Sequence, residues 1–198
     1  MNPIFIEEEK NVYRLKIPFE DVYTSVFLIT MKSGNFLVDC ASTDKDVDCF
    51  IIPALNELKI SLATVKYLIL THRHPDHSGG LDRLLALNPE LKVIDFAGFV
   101  LDTIKTQALA GHTKDCIGVL IKNKTLIVGD ALQGDGVGKF IRNVHDEKAY
   151  LQMLNFIESQ KHIRALLFSH AYKPWNKDKA VKRRNILKCI NVCKKQPD

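Results

Sequence analysis

The sequence predicts an α/β domain of two β-sheets packed between helices, and three observations carry that reading. The first forty residues alternate apolar and polar positions through "VYRLKIP" and "YTSVFLIT", rich in β-branched and aromatic side chains, then turn at "KSGN" into "FLVDC". The runs "VKYLIL" and "IRALLFSH" are short and largely apolar, as strands buried on both faces are. Strands followed by helix occur twice over, a coarse symmetry that suggests two sheets. With 198 residues, the length favours one domain spanning 1–198.

In chain order, "PIFIE" and the three strands after it read as an antiparallel meander. "STDKDVDCFIIPALNELK" reads as a helix with Ser42, Thr43 or Asp44 as N-cap and a kink at Pro53. "VKYLIL" is a strand; "GLDRLLALNP" is a helix with Leu81, Leu84, Leu85 and Leu87 at helical spacing, ended by Asn88-Pro89. "LKVIDF" is a further strand, and residues 97–110 carry no clear period. "CIGVLIKNKTLIVGD" reads as a hairpin about Asn123 and Lys124. "DEKAYLQMLNFIESQ" is an amphipathic helix with Tyr150, Met153, Leu154 and Ile157 on one face. After the strand "IRALLFSH", "DKAVKRRNILKCINVCKK" reads as a last helix with Val181, Ile186, Leu187 and Ile190 inward.

Composition excludes several classes. Hydrophobic residues make up 46% and the mean hydropathy is −0.06, values of an ordinary globular chain. No apolar run approaches the roughly 18 residues of a membrane helix. The start "MNPIFIEEEK" is acidic where a secretion signal is basic and then apolar, so a cytoplasmic location and no membrane partner are expected. The five cysteines, Cys40, Cys49, Cys116, Cys189 and Cys193, form no CxxC pair, which suits reduced thiols better than disulfides or a thiolate zinc knuckle. The net charge of +5 is unevenly placed: residues 161–198 hold 11 Lys or Arg against Asp178 and Asp198, for +9, which leaves −4 on the first 160.

The chemistry is concentrated in "THRHPDHSGG", residues 71–80. Imidazole nitrogen and carboxylate oxygen are the usual non-sulfur ligands of zinc and non-haem iron. In extended chain His72, His74 and Asp76 leave on one side, at i, i+2 and i+4. His77 breaks that parity, so the backbone must turn at Asp76 for it to join them. Pro75 holds His74 extended, while Ser78, Gly79 and Gly80 permit the turn into a helix. Like-sized polar side chains crowded after an apolar strand have no packing rationale. His112 in "LAGHTKD", Asp130 at the end of "LIVGD" and His170 at the end of "LLFSH" stand where α/β sheets build their sites. Seven ligands of this kind would serve two ions. His145 and His162 lie in polar surroundings and read as solvated surface residues.

At this point the sequence resembles the metallo-β-lactamase superfamily. "THRHPDH" matches its HxHxDH signature, "AGHT" its third-histidine motif, "VGDAL" its bridging-aspartate motif and "FSHAY" its final-histidine motif, in the family's order. "LVDC" looks like the early strand whose aspartate, here Asp39, supports the site from behind. The resemblance implies a four-layer αββα sandwich with His72, His74 and His112 on a first ion, Asp76, His77 and His170 on a second, and Asp130 bridging. The ions it implies are two divalent metals, zinc first, with iron and manganese as alternatives. It further implies a hydroxide bridging the metals that attacks a small-molecule ester, thioester or lactone, with Asp76 carrying the released proton as well as ligating. The segment "QGDGVGKFIRNVH", residues 133–145, is the expected specificity loop, and Tyr172 is an open candidate for the substrate pocket.

Two other activities within the same superfamily stand beside this one. A nuclease or phosphodiesterase would use the basic tail "KDKAVKRRNILKCINVCKK" against phosphates. The same residues read as a helix with an apolar inner face and a solvated basic outer face, so a small-molecule substrate is expected and a nucleic-acid partner is not. An iron-dependent sulfur dioxygenase of the superfamily would use one iron and fewer ligands than the seven found here.

Overall fold

Four antiparallel strands open the chain, as the alternation requires: β1 (Ile6–Glu9), β2 (Val12–Phe19), β3 (Val22–Met31) and β4 (Gly34–Val38). The computed structural model describes residues 3–134, 144–171 and 176–195. Within it the chain divides into two units, Met1–Asp95 and Phe96–Asp198.

In the first unit β5 (Val65–Ile69) and β6 (Lys92–Ile94) join the meander in parallel, giving the order β1-β2-β3-β4-β5-β6. Helix α1 (residues 44–57) starts at Thr43, whose Oγ1 accepts the Asp46 amide at 3.1 Å. The kink expected at Pro53 takes the form of a π turn over Val47–Ile51, where the Ile52 amide donates to the Val47 carbonyl. Pro53, near the start of the next helical stretch, contributes no amide, and the widened turn just before it is how the chain continues as helix. A short turn of helix, α2 (Pro75–Ser78), follows β5, and then α3 (Leu81–Leu87). Leu84 is buried and Leu81 and Leu85 pack against the same core, but Leu87 is 42% exposed and does not belong to the inward face. Asn88 ends α3, and its amide donates to the Leu62 and Val65 carbonyls at 3.0 and 2.9 Å. The core joins Leu15, Ile17, Val26, Leu28 and Leu37 of the sheet to Val47, Ile51, Leu55 and Leu84 of the helices.

In the second unit the order is β12-β11-β10-β9-β8-β7, from β7 (Val100–Leu101), β8 (Ile104–Ala108), β9 (Ile117–Ile121), β10 (Thr125–Ile127), β11 (Ala165–Leu167) and β12 (Lys179–Val181). Residues 97–110 thus form a hairpin of β7 and β8, which short, half-polar strands conceal from the period. The β9–β10 hairpin turns at Asn123 as expected, and β10 pairs in parallel with β11. Helix α4 (Glu147–Ser159) is capped by Asp146, whose carboxylate accepts the Ala149 amide at 3.0 Å, and buries Tyr150, Met153, Leu154 and Ile157. The final helix is shorter than the sequence predicts. Residues 179–181 are β12, and Val181, expected on the helix's apolar face, is a 46% exposed strand residue. Helix α5 (Arg183–Lys194) buries Ile186, Cys189, Ile190 and Cys193, a face set by two thiols as much as by aliphatic residues.

No two of the five cysteines are bridged, in keeping with reduced thiols. Among the described residues no helix is long and apolar enough to cross a membrane.

Candidate metal centre

In the first unit the ligand-type residues follow β5 directly. Leu70 still pairs with the neighbouring strand through Ile94, and the chain then leaves the sheet at Thr71. His72 is buried and His74 exposed; their ligand atoms lie within 4.8 Å of each other, with ring centroids 4.6 Å apart. Pro75 begins α2, and the turn at Asp76 brings His77 back to the histidine side, its ring centroid 4.2 Å from that of His72. This is the turn the broken parity demanded. Its backbone is held from β3 and from the loop after β4: Thr24 Oγ1 donates to the Asp76 carbonyl at 3.0 Å, and the Cys40 amide donates to the His77 carbonyl at 2.8 Å. The Cys40 thiol is pushed well above its ordinary pKa, by burial first and by the Asp39 charge second, and it donates to the His77 carbonyl at 3.3 Å.

The two glycines of the motif serve a different purpose from the one expected. Gly79 and Gly80 have φ of −66° and −86°, values any residue adopts. What excludes a side chain is proximity: a Cβ on Gly79 would sit 1.9 Å from the Ser42 carbonyl oxygen, and one on Gly80 would sit 2.3 Å from that of Cys40. Gly79→Ala is therefore expected to destabilise the protein by about 3 kcal/mol, read as a lowered unfolding midpoint. An unchanged midpoint would show that the 39–42 loop yields freely.

Asp39 organises this half of the site. It sits just past β4 at φ +62°, fully buried. Its Oδ1 accepts the Thr71 amide at 2.7 Å, and its Oδ2 accepts the Thr71 hydroxyl at 2.8 Å and His77 Nδ1 at 2.8 Å. A carboxylate only accepts, so His77 carries its proton on Nδ1 and presents the Nε2 lone pair. The Thr71 hydroxyl has given its hydrogen to Asp39, so at its 3.2 Å contact with His72 Nδ1 it accepts. His72 therefore also holds its proton on Nδ1 and presents Nε2. One carboxylate sets both tautomers, directly for His77 and through Thr71 for His72. Asp39 was legible from the "LVDC" motif; Thr71, Thr24 and Cys40 were not, and the only sequence signal for Thr24 is a polar residue inside an apolar strand.

His77 Nε2 lies 3.1 Å from Asp76 Oδ2. With Nδ1 protonated, a lone pair there faces a carboxylate oxygen, an arrangement that a cation or a second proton reconciles. Two ligands at zinc distances of about 2.1 Å stand about 3.4 Å apart in a tetrahedral shell, close to the observed spacing. The donor set therefore fits a divalent metal.

In the second unit the parallel pair β10 and β11 delivers two residues side by side beyond its C-terminal ends. The Val128 amide donates to the Leu167 carbonyl at 3.0 Å, extending the ladder toward Asp130 and His170. Asp130 Oδ1 lies 3.1 Å from His170 Nε2, and its Oδ2 lies 3.9 Å from His112 Nε2. One carboxylate thus turns each oxygen toward a different imidazole, as a bridging ligand must. His112 follows Gly111 (φ +149°), where a Cβ would meet the Tyr150 Cα at 2.7 Å. The His145 amide donates to the Gly111 carbonyl at 2.8 Å and ties this loop to the start of α4. The His145 side chain is exposed, as expected. Tyr172 and residues 135–143 of the expected specificity loop lie outside the described residues.

Comparison with known proteins agrees with this geometry. The profile of the metallo-β-lactamase superfamily matches residues 20–95. A hydroxyacylglutathione hydrolase 1 of Vibrio vulnificus (strain YJ016) is 27% identical over 194 residues, covering 87% of this chain and 74% of that protein. An atrochrysone carboxyl ACP thioesterase of Aspergillus fumigatus is 24% identical over 155 residues, covering 69% of this chain and 47% of that one, so the chain spans only about half its length. The crystal structure of a metallo-β-lactamase from Pseudomonas aeruginosa in its mono-zinc form superposes with a TM-score of 0.74 at 17% identity, over 98% of this chain and 96% of that one. Two mixed sheets with flanking helices are the α/β sandwich of those structures, the fold class read from the sequence. On its signature motifs, its fold and its ligand residues, the chain is similar to the metallo-β-lactamase superfamily of metallo-hydrolases.

Proposed function

We propose that the protein hydrolyses small-molecule acyl substrates, thioesters ahead of esters and lactones, at a binuclear metal site, with residues 1–198 working as one domain. His72, His74 and His112 would hold one ion, and Asp76, His77 and His170 the other, with Asp130 between them. The observation that carries the reading is the Asp130 carboxylate, whose two oxygens address two different histidines. Zinc is favoured by the imidazole and carboxylate donor set, and the mono-zinc state of a structural neighbour supports it. Thioesters come first because two relatives bear the names of a hydroxyacylglutathione hydrolase and an ACP thioesterase. Reduced thiols support a cytoplasmic setting.

Two divalent ions held by these residues would supply a hydroxide at neutral pH and polarise the scissile carbonyl. The chain's own part is to orient and to move a proton. Asp39 and Thr71 hold the His72 and His77 rings with Nε2 forward. Asp76 takes the proton released by the attacking water and returns it to the leaving thiolate. Asp76→Asn is therefore expected to lower turnover by about 100-fold. Retention of both metals with full turnover would refute that role.

The direct test is metal quantification on protein purified without added metal, followed by a screen over thioesters, lactones and phosphodiesters with His72→Ala as control. About two zinc ions per chain and thioester cleavage that His72→Ala abolishes are expected. About one iron per chain with oxygen consumption on persulfides would overturn the hydrolase reading in favour of the dioxygenase. Cleavage confined to phosphodiesters would favour the nuclease.

A further inference from the structure

Within the second unit a small polar cluster lies in the core close to Asp130 and His112, and the proposed chemistry leaves it without a role. Cys189 and Cys193 stand one turn apart on α5 and both face inward, 6% and 2% exposed. Their thiols converge on one backbone oxygen: Cys189 Sγ donates to the Gln133 carbonyl at 3.2 Å, and Cys193 Sγ reaches the same oxygen at 3.8 Å. Cys189 Sγ also lies 3.8 Å from the Gly134 carbonyl. Tyr150 of α4 completes the cluster. Its hydroxyl stays protonated, because burial first, and then the Cys193 and Cys189 sulfurs beside it, raise its pKa. A buried cysteine is ordinarily a small apolar filler. Here two thiols serve one carbonyl beyond the end of β10, in the way that a neighbouring amide serves a carbonyl within the ladder.

Short, buried chain couples the cluster to the candidate ligands. Gln133 is three residues from Asp130, so their Cα atoms are at most about 11 Å apart. Ala131 and Leu132 between them are fully buried in the same core as Tyr150 and the two cysteines. The Ala131 amide donates to the Val128 carbonyl at 3.1 Å, so the backbone around Asp130 is fixed by a turn at one end and by the thiols at the other. Tyr150 supports the other ligand, since Gly111, next to His112, packs against its Cα. Asp130 turns its two oxygens to different imidazoles at 3.1 and 3.9 Å, and ligand geometry of this kind degrades with displacements of about 0.5 Å.

We propose that Cys189, supported by Cys193, is a positioning residue for Asp130: its thiol fixes the Gln133 carbonyl and through it the carboxylate that faces His112 and His170. This rests on the reading of Asp130 as a ligand of a binuclear site, and it does not depend on which substrate is cleaved.

The test compares Cys189→Ala, Cys189→Val, Cys189→Ser and Cys193→Ala in the full chain. Zinc affinity is measured by chelator competition, alongside kcat, KM and the unfolding midpoint. Serine keeps an O–H donor, valine fills the space without one, and alanine does neither. Cys189→Ala and Cys189→Val are each expected to hold the weaker of the two ions about tenfold less tightly, and to lower kcat for a thioester about tenfold with KM unchanged. Cys189→Ser is expected to restore both to within about twofold of wild type. Cys193→Ala removes the longer contact and is expected to change zinc affinity less than Cys189→Ala, although Cys193 is the more buried of the two. Packing alone orders the variants differently, with Cys189→Val nearest to wild type and Cys189→Ser no better than Cys189→Ala. That order in zinc affinity, or an affinity indifferent to all four substitutions, overturns the proposal. The expected order in zinc affinity without any thioester cleavage would sustain the positioning role and remove the thioesterase reading.

Discussion

Asp130→Asn is expected to abolish hydrolysis, with kcat/KM down at least about a thousandfold, or roughly 4 kcal/mol of transition-state stabilisation. Asp130 turns Oδ1 toward His170 and Oδ2 toward His112. An asparagine of the same shape offers one oxygen and replaces the other by an amide that donates, so it serves one ion and repels the second. Metal content measured after dialysis should accordingly fall from about two ions per chain to one or fewer, while the circular dichroism spectrum is preserved. A variant with both ions and wild-type turnover would show that Asp130 does not bridge. The isosteric change is the informative one, because alanine would also leave a cavity beside His170.

Substitution of Asp39 is expected to cost nearly as much, by a different route. In Asp39→Ala the Thr71 amide, the Thr71 hydroxyl and His77 Nδ1 all lose a buried acceptor. At about 1–3 kcal/mol for each unsatisfied buried group, with partial relaxation, a stability loss of about 3–5 kcal/mol follows. Asp39→Asn tolerates the φ of +62° and keeps an acceptor for Thr71, so it isolates the effect on the imidazoles. Metal affinity, measured by competition with a chromophoric chelator, should drop by about 10- to 100-fold. Thr71→Val separates the two histidines: it breaks the link to His72 and leaves the Asp39 bond to His77, so a smaller loss of about tenfold is expected. Equal metal affinity in wild type, Asp39→Asn and Thr71→Val would show that neither tautomer is set this way.

Much of this arrangement is legible in the sequence because the signals are local. The parity of His72, His74 and Asp76, and its breach at His77, can be read from six consecutive residues. The amphipathic spacing of Tyr150, Met153, Leu154 and Ile157 fits a single helix face, and α4 buries all four. Failures occur where a long-range partner decides. "KAV" at 179–181 continues the helical spacing of Ile186 and Ile190, yet it is strand because β11 offers an open edge, with Leu166 opposite Ala180. Gly79 and Gly80 look like turn residues, but the reason for them is the backbone of residues 40 and 42, which no local pattern reveals.

The sequence by itself determined the class of fold, the identity of the metal-type residues and their order, since apolar period and motif spacing are properties of neighbouring residues. Tertiary structure alone decided how those residues are aimed. Asp39 and Thr71 are 32 positions apart and meet because β4 and β5 pair in parallel, with Val38 opposite Ile69 and the Asp39 amide on the Ile69 carbonyl. Asp130 and His170 stand together because β10 and β11 end side by side. Tautomer and carboxylate orientation both depend on groups brought together by strand pairing and packing, which act at distances that a linear pattern does not encode.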